Sequence, residues 1–295
     1  MVYREFFAAL LLATACMPAF AQSAGAFSAL PGVDLSGNWA PAPHEESVGN
    51  PMLADYLGIP ITDGARAFGL AWSPSRGTLP EHQCEVHIVS YIYGGPLNVR
   101  IWEEKDPQSQ RVVAIRQYIS TYEQDRIIWM DGRPHPPEGA AHTWMGFSTG
   151  QWEGGTLTVR TTHMKKGDLR RNGLPVSDTA TLTEHFMRHG DTMTHVSIIT
   201  DPVYLTEPFI RTQAFRQIVQ EGQNWLYPCA SVVEIANRPR GAVPSYLPGE
   251  NPFATEFADR YKLPRDAVLG GAETMYPEYQ LKLKQTAAAS GKKGF

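Results

Sequence analysis

From Val86 to Gln217 the chain is a succession of short segments in which apolar and polar residues alternate, with turn signals between them and no sustained helical period. Alternation at period two places successive side chains on opposite faces of a strand, so each segment has one face to bury and one to show to water. This reading gives strands at 86–93, 97–102, 112–118, 127–131, 142–148, 156–163, 179–188, 193–200 and 209–217. Asp131-Gly132, Glu153-Gly154-Gly155 and His189-Gly190-Asp191 supply the clearest turns, since Gly accepts the positive φ that tight connections require. Strands in such number without intervening long helices predict a mainly β fold, an antiparallel β-barrel, with a two-sheet β-sandwich as the alternative.

The flanks read differently. Residues 22–80 are rich in Gly, Pro, Ser and Ala, an irregular N-terminal segment with short helices expected at 52–57 and at 62–72, the second opened by Thr62-Asp63 as a cap. The barrel is assigned to 81–236. Residues 237–285 follow as a C-terminal helix and strap: Phe253, Phe257 and Tyr261 recur at helical spacing after Asn251-Pro252, a stripe suited to lie against the barrel. An extended strap is expected at 270–279 and a disordered tail at 286–295.

Residues 1–21 combine Arg4, the apolar run from Phe6 to Ala15 and the Ala19-Phe20-Ala21 end of a secretory signal peptide. The expected location is secreted or periplasmic. The alternative is a lipoprotein anchored at Cys16, read from Leu12-Ala13-Thr14-Ala15-Cys16. No later run is long and apolar enough for a transmembrane helix. Removing the leader leaves Cys84 and Cys229, an even pair in an oxidising compartment, and a disulfide between them is the economical reading, with two buried free thiols as the alternative.

A net charge of −4 with 19% charged residues excludes the basic signature of a nucleic-acid binder. The chain contains no phosphate-binding Gly-rich loop, H-E-x-x-H or C-x-x-C. No cofactor is implied. His185 and His189 stand on a strand running into a turn, about 13 Å apart at 3.3 Å per residue, too far to share an ion, and no metal site is assigned.

Strand alternation marks the candidate chemistry. Glu184 shares the face of Ala180, Leu182 and Phe186, and therefore points inward; His163 shares the face of Leu157 and Val159 at the end of its strand. A carboxylate facing an apolar interior must find a cation, accept hydrogen bonds or take a proton. His163 and Glu184 are thus an acid/base candidate, and Arg171, in the loop Arg170-Arg171-Asn172-Gly173, is the candidate oxyanion partner. The alternative for Glu184 is a structural charge pair. Arg170, Asn172, Trp129, Trp144, Tyr204 and Arg211 are the candidate ligand-binding residues, aromatic walls with polar handles, although most aromatics of a β-domain belong to its core.

Two resemblances add to this reading. The runs Asp131-Gly132-Arg133-Pro134-His135-Pro136-Pro137, Thr143-Trp144-Met145-Gly146-Phe147-Ser148-Thr149-Gly150-Gln151-Trp152-Glu153-Gly154, Leu169-Arg170-Arg171-Asn172-Gly173 and Asp201-Pro202-Val203-Tyr204-Leu205-Thr206-Glu207-Pro208 resemble a family of secreted bacterial proteins, mostly of unknown function, which implies export and no particular reaction. Gly37-Asn38-Trp39, and Gly150-Gln151-Trp152-Glu153-Gly154 followed by Leu157 and Val159, are similar to lipocalins and related calycins. That similarity implies a lipocalin-like barrel around a small hydrophobic or aromatic ligand. A cofactor-free isomerase, lyase or hydrolase on the same barrel is the second expectation, and a structural or interaction module of the envelope the third. The oligomeric state is left open.

Overall fold

The structure, a computed structural model, describes residues 33–42, 52–95, 98–219, 237–239 and 241–289. The expected signal peptide, Cys16, Cys229 and the tail from 290 lie outside the described residues. The predicted mainly β fold is present as a closed barrel of nine strands. They are β1 (Gly37–Pro41), β2 (Val99–Lys105), β3 (Val112–Ile119), β4 (Gln124–Trp129), β5 (Phe147–Glu153), β6 (Thr156–Thr162), β9 (Thr181–His189), β10 (Thr192–Thr200) and β11 (Phe209–Ile218). β7 (Gly167–Arg170) and β8 (Leu174–Val176) form a separate hairpin. The barrel closes because β1 pairs with both β11 and β2, and every neighbouring pair is antiparallel except β4 with β5. Closure removes the exposed strand edges that an open sheet would leave.

Alternation sorts the side chains as the sequence implied. Leu157, Val159 and Thr161 of β6, Leu182, Glu184 and Phe186 of β9, and Met193, His195, Ser197 and Ile199 of β10 are all buried. Trp39 of β1 and Phe215 of β11 join them in one apolar core. The hairpin turns carry glycine where φ is positive: Gly154 at 62° and Gly190 at 64°.

Several local expectations are corrected. Residues 86–93 do not form a strand: α3 (Val89–Ile92) is a single helical turn there, because Ile88, Val89, Ile92 and Tyr93 are all buried, the spacing of one helix face and not of a pleat. The missing strand is supplied by β1, inside the segment read as irregular, where five residues are too few to display a period. The strand expected at 142–148 begins only at Phe147, since 143–145 are held by a bridge from Thr143 to Met164 and Gly146 turns at φ 64°. Residues 52–57 make turns, with Ala54 at φ 62°, and no helix, whereas α1 (Asp63–Ala71) starts as expected with Thr62 accepting from the Ala65 amide.

The C-terminal part is helical where a strap was expected. A 3₁₀ turn at Ala272–Met275 precedes α6 (Pro277–Ala289), which also takes in the first residues of the expected tail. In α4 (Glu256–Tyr261) and the turn before it, the buried residues are Ala254 and Ala258, while Tyr261 is 56% exposed, so small residues and not the aromatic stripe face the body. α2 (Pro80–Gln83) and α5 (Arg265–Val268) complete the helices among the described residues.

Candidate functional site

The inward carboxylate of Glu184 meets a cation. Arg126 of β4 donates to both Glu184 oxygens, Nη1 to Oε1 at 3.0 Å and Nη2 to Oε2 at shorter range. His195 Nε2 lies 2.9 Å from Oε1. Arg126 is itself 1% exposed and its remaining donors reach Tyr93 Oη at 2.7 Å, Thr161 Oγ1 at 3.0 Å and Ser148 Oγ at 3.1 Å. Burial alone would raise the Glu184 carboxyl, but the Arg126 charge and the His195 and Arg126 hydrogen bonds outweigh it and hold the group down at about 2. Burial works against the Arg126 charge too, and Glu184 overcomes it, so the guanidinium is held more firmly protonated than usual. The pair is a satisfied cross-brace through the barrel, the structural alternative foreseen for Glu184.

His163 takes no part in it. Its φ of 57° breaks the alternation at the end of β6 and turns the ring outward, where Nδ1 is 2.8 Å from Thr162 Oγ1 and Nε2 is 3.0 Å from the Pro137 carbonyl. The inward histidine is His195, stacked on Phe186 at 4.5 Å. The alternation of Met193, His195, Ser197 and Ile199 carries the signal that finds it.

The expected ligand residues are not gathered into one site. Trp129 lies under the Arg133 guanidinium at 3.5 Å, and Arg133 is bound to Asp131. Trp144 has Lys165 over it at 5.0 Å, and Tyr204 packs near Phe68 at 6.3 Å. Arg170 is 3.6 Å from Asp55, and Asn172, fully buried, donates to the carbonyls of Met52 and Asp55. Arg211 is buried and donates to the Leu169 carbonyl at 3.1 Å. Cys84 is described, but its expected partner Cys229 is not.

A different cluster forms at the barrel rim. α3 lies across one end of the interior as a plug. Its Tyr93 reaches inside, where the hydroxyl bonds Gln117 and receives from Arg126, while Tyr91 and the preceding His87 stay half-buried at the rim. The plug packs on β7 so closely that a Cβ on Gly167 would meet Ile88 at 2.8 Å. The His87 ring stands edge-on between two tyrosines, with centroids 4.5 Å from Tyr91 and 5.3 Å from Tyr122. Tyr122 and Glu123 occupy the left-handed region in succession, at φ 57° and 51°. Non-glycine residues there each cost on the order of 1 kcal/mol, and such strain concentrates at ligand clamps and active sites.

The β7–β8 hairpin brings Asp168 and Arg171 to the same place. The Arg171 charge acts on His87, Tyr91 and Asp168 together. Burial, then the neighbouring Glu85, pushes the Asp168 carboxyl up to about 6 against the opposing charges of Arg76, His82 and Arg171. Burial and then Arg171 push the His87 imidazole down to about 4, so it is neutral at neutral pH. No hydrogen bond or ion pair joins the His87, Tyr91, Asp168 or Arg171 side chains to other described residues. The cluster thus sets an acid raised toward neutrality near a neutral imidazole, a phenol and a cation.

Asp168 carries a stability signature. Its folded pKa is raised, so stability is fully present below the unfolded value of 3.8 and is lost as pH climbs through about 6. Asp168→Asn removes that loss, and at pH 7 the variant is expected to be more stable by roughly 1–2 kcal/mol, the upper limit of about 3 kcal/mol being reduced by solvent at the half-buried carboxyl. Urea titrations at pH 7 and pH 4 check this; the gain vanishes at pH 4.

No protein-family model, curated protein or solved structure matches the chain. Among the described residues, no group of three or more His, Cys, Asp or Glu is placed to hold a metal ion.

Proposed function

We propose that this protein binds a small aromatic acid, and that it does so at the His87 cluster and not in the barrel interior. The observation that supports this reading is the cluster around His87, with the Tyr91 and Tyr122 rings on either side of it and the Arg171 charge acting on His87, Tyr91 and Asp168. Tyr91 and Tyr122 offer faces for a planar ring, and Arg171 offers the fork that a carboxylate accepts. The interior, by contrast, is crossed by the Arg126–Glu184 brace and occupied by Trp39, Phe186 and Phe215, each at most 1% exposed.

The test is titration of phenylacetate against the purified protein, followed by NMR shifts of the ligand and the protein. Arg171→Met is expected to weaken binding about 10-fold or more, the worth of a charge-assisted hydrogen bond of roughly 1.5–3 kcal/mol. Tyr122→Ala is expected to weaken it further. Undiminished affinity in both variants would sink the rim site, and shifts confined to Gln117 and Thr161 would move the ligand to the interior.

The same proposal extends to compartment. The leader pattern at 1–21 supports export, as do the motifs that resemble a secreted bacterial family, and a Cys84–Cys229 disulfide would then tether the rim segment to the chain after β11. Thiol titration of the unfolded, unreduced protein tests the bridge: reactive thiols at both positions would overturn it.

A further inference from the structure

We infer that this protein pairs with a second copy of itself through an exposed apolar face built from α1, the segment before β11 and the C-terminal 3₁₀ turn, with Lys166 of each copy set against the partner's Glu207.

α1 packs inward through its small residues Ala65 and Gly69, which leaves Phe68 on the outside beside Tyr204. The segment 203–206 lies along residues 60–62: the Thr62 amide donates to the Tyr204 carbonyl at 3.0 Å, Ile61 bridges Leu205, and the Thr206 amide donates to the Pro60 carbonyl at 2.8 Å. Leu205 turns into the core and Val203 stays exposed. Next along, the Gly58 amide donates to Thr274 Oγ1 at 2.9 Å, and a Cβ on Gly58 would meet Met275 Sδ at 2.8 Å, so the 3₁₀ turn is pressed against the same edge. Tyr276 follows, its hydroxyl 3.5 Å from Glu207 Oε1. Leu57, Phe68, Val203, Met275 and Tyr276 thus lie along one stretch of surface, and all five are exposed.

Single apolar side chains on a surface need no explanation, but a continuous row of them marks an interface. The charges name the occupant. At one end the Lys166 ammonium stands over Phe68 at 4.6 Å and Tyr204 at 5.7 Å, and toward the other Glu207 lies beside Tyr276. Neither Lys166 nor Glu207 makes an ion pair with a described residue. Asp63, at the start of α1, is bound to Arg66 and adds no free charge. A face with a cation at one end, an anion toward the other and an apolar middle is complementary to itself after a two-fold rotation, which lays apolar on apolar and brings each Lys166 to the partner's Glu207. An anionic lipid surface matches only the lysine end and repels the carboxylate. An apolar centre with a charged rim is also the usual anatomy of contacts between proteins.

Sedimentation velocity of the whole protein from about 1 µM to about 100 µM is expected to show a monomer–dimer equilibrium, the strength of a modest interface. Val203→Asp, at an exposed position that tolerates a charge in the monomer, sets like charges together at the centre of the pair and is expected to raise the dissociation constant about 10-fold or more. Lys166→Glu and Glu207→Lys each place like charges face to face and are expected to raise it about 5-fold or more. The double variant Lys166→Glu with Glu207→Lys restores opposite charges and should return to within about 3-fold of wild type, a recovery that a purely local role for either residue does not produce. A monomer at every concentration, or a dimer indifferent to Val203→Asp, overturns the pairing. Weakening in both single charge variants without recovery in the double overturns the two-fold register. A monomer that co-sediments with vesicles of phosphatidylglycerol and phosphatidylcholine, and loses this in Lys166→Glu, overturns the second copy in favour of a lipid surface.

Discussion

Arg126→Met is expected to destabilise the fold by about 3–5 kcal/mol, the cost of leaving a buried carboxylate without its cation. Both side chains of the Arg126–Glu184 pair are 0% exposed, so neither charge has water to fall back on. The substitution also removes the donors to Ser148, Thr161 and Tyr93 and frees the plug from its inner anchor. Urea denaturation at pH 7 measures the loss. The double variant Arg126→Met with Glu184→Leu is expected to recover a large part of it, because an apolar pair of similar volume removes the isolated charge. A loss below about 1 kcal/mol in the single variant would show that the brace carries no net stabilisation.

The same pair sets the response to acid. Glu184 has a folded pKa depressed to about 2 from the ordinary carboxyl value of 4.5, so its contribution is present above about 4.5 and is lost as pH falls toward 2. In the Arg126→Met protein the carboxyl loses the charge that holds it down, burial then prevails, and the acid-side loss is expected to disappear. Parallel urea titrations at pH 3 and pH 7 separate the two behaviours.

Sequence reasoning found what depends on period and turns. Glu184 was placed inward by its neighbours Leu182 and Phe186, and the hairpins at Gly154 and Gly190 were legible because positive φ favours glycine there. It failed where alternation stops meaning what it usually means. His163 continues the inward pattern of Leu157 and Val159 on paper, but a single left-handed residue reverses its direction, and nothing in composition announces a left-handed histidine. Residues 86–93 alternate well enough for a strand, yet their burial is helical, because the barrel end on one side and β7 on the other both take apolar side chains. The rim cluster was half visible. Arg171 was singled out, but His87 with Tyr91, Tyr122 and Asp168 lie in three stretches of chain, 31 and 46 residues apart, and only the paired folding of plug, turn and hairpin brings them together.

Trp39→Ala is expected to cost about 3–5 kcal/mol, among the largest effects of any single truncation in this fold. The indole is 0% exposed, its Nε1 donates to the Leu35 carbonyl at 2.8 Å, and the Arg188 guanidinium lies 5.3 Å from the ring centre. Arg188 in turn donates to the carbonyls of Asp34 and Gly190 and to Gln217, tying the entry of β1 to β9 and β11. β1 is the strand that closes the barrel, so the cavity left by the indole lies beside the seam where β1 pairs with β11 and β2. Trp129→Ala is the control, because that ring sits half-buried under Arg133 and its loss is expected to cost about 1 kcal/mol or less. Urea midpoints of the two variants should therefore differ several-fold in their displacement from wild type. Equal displacements would mean that burial of Trp39 does not govern closure, and that the barrel is held shut by its hydrogen-bond ladder instead.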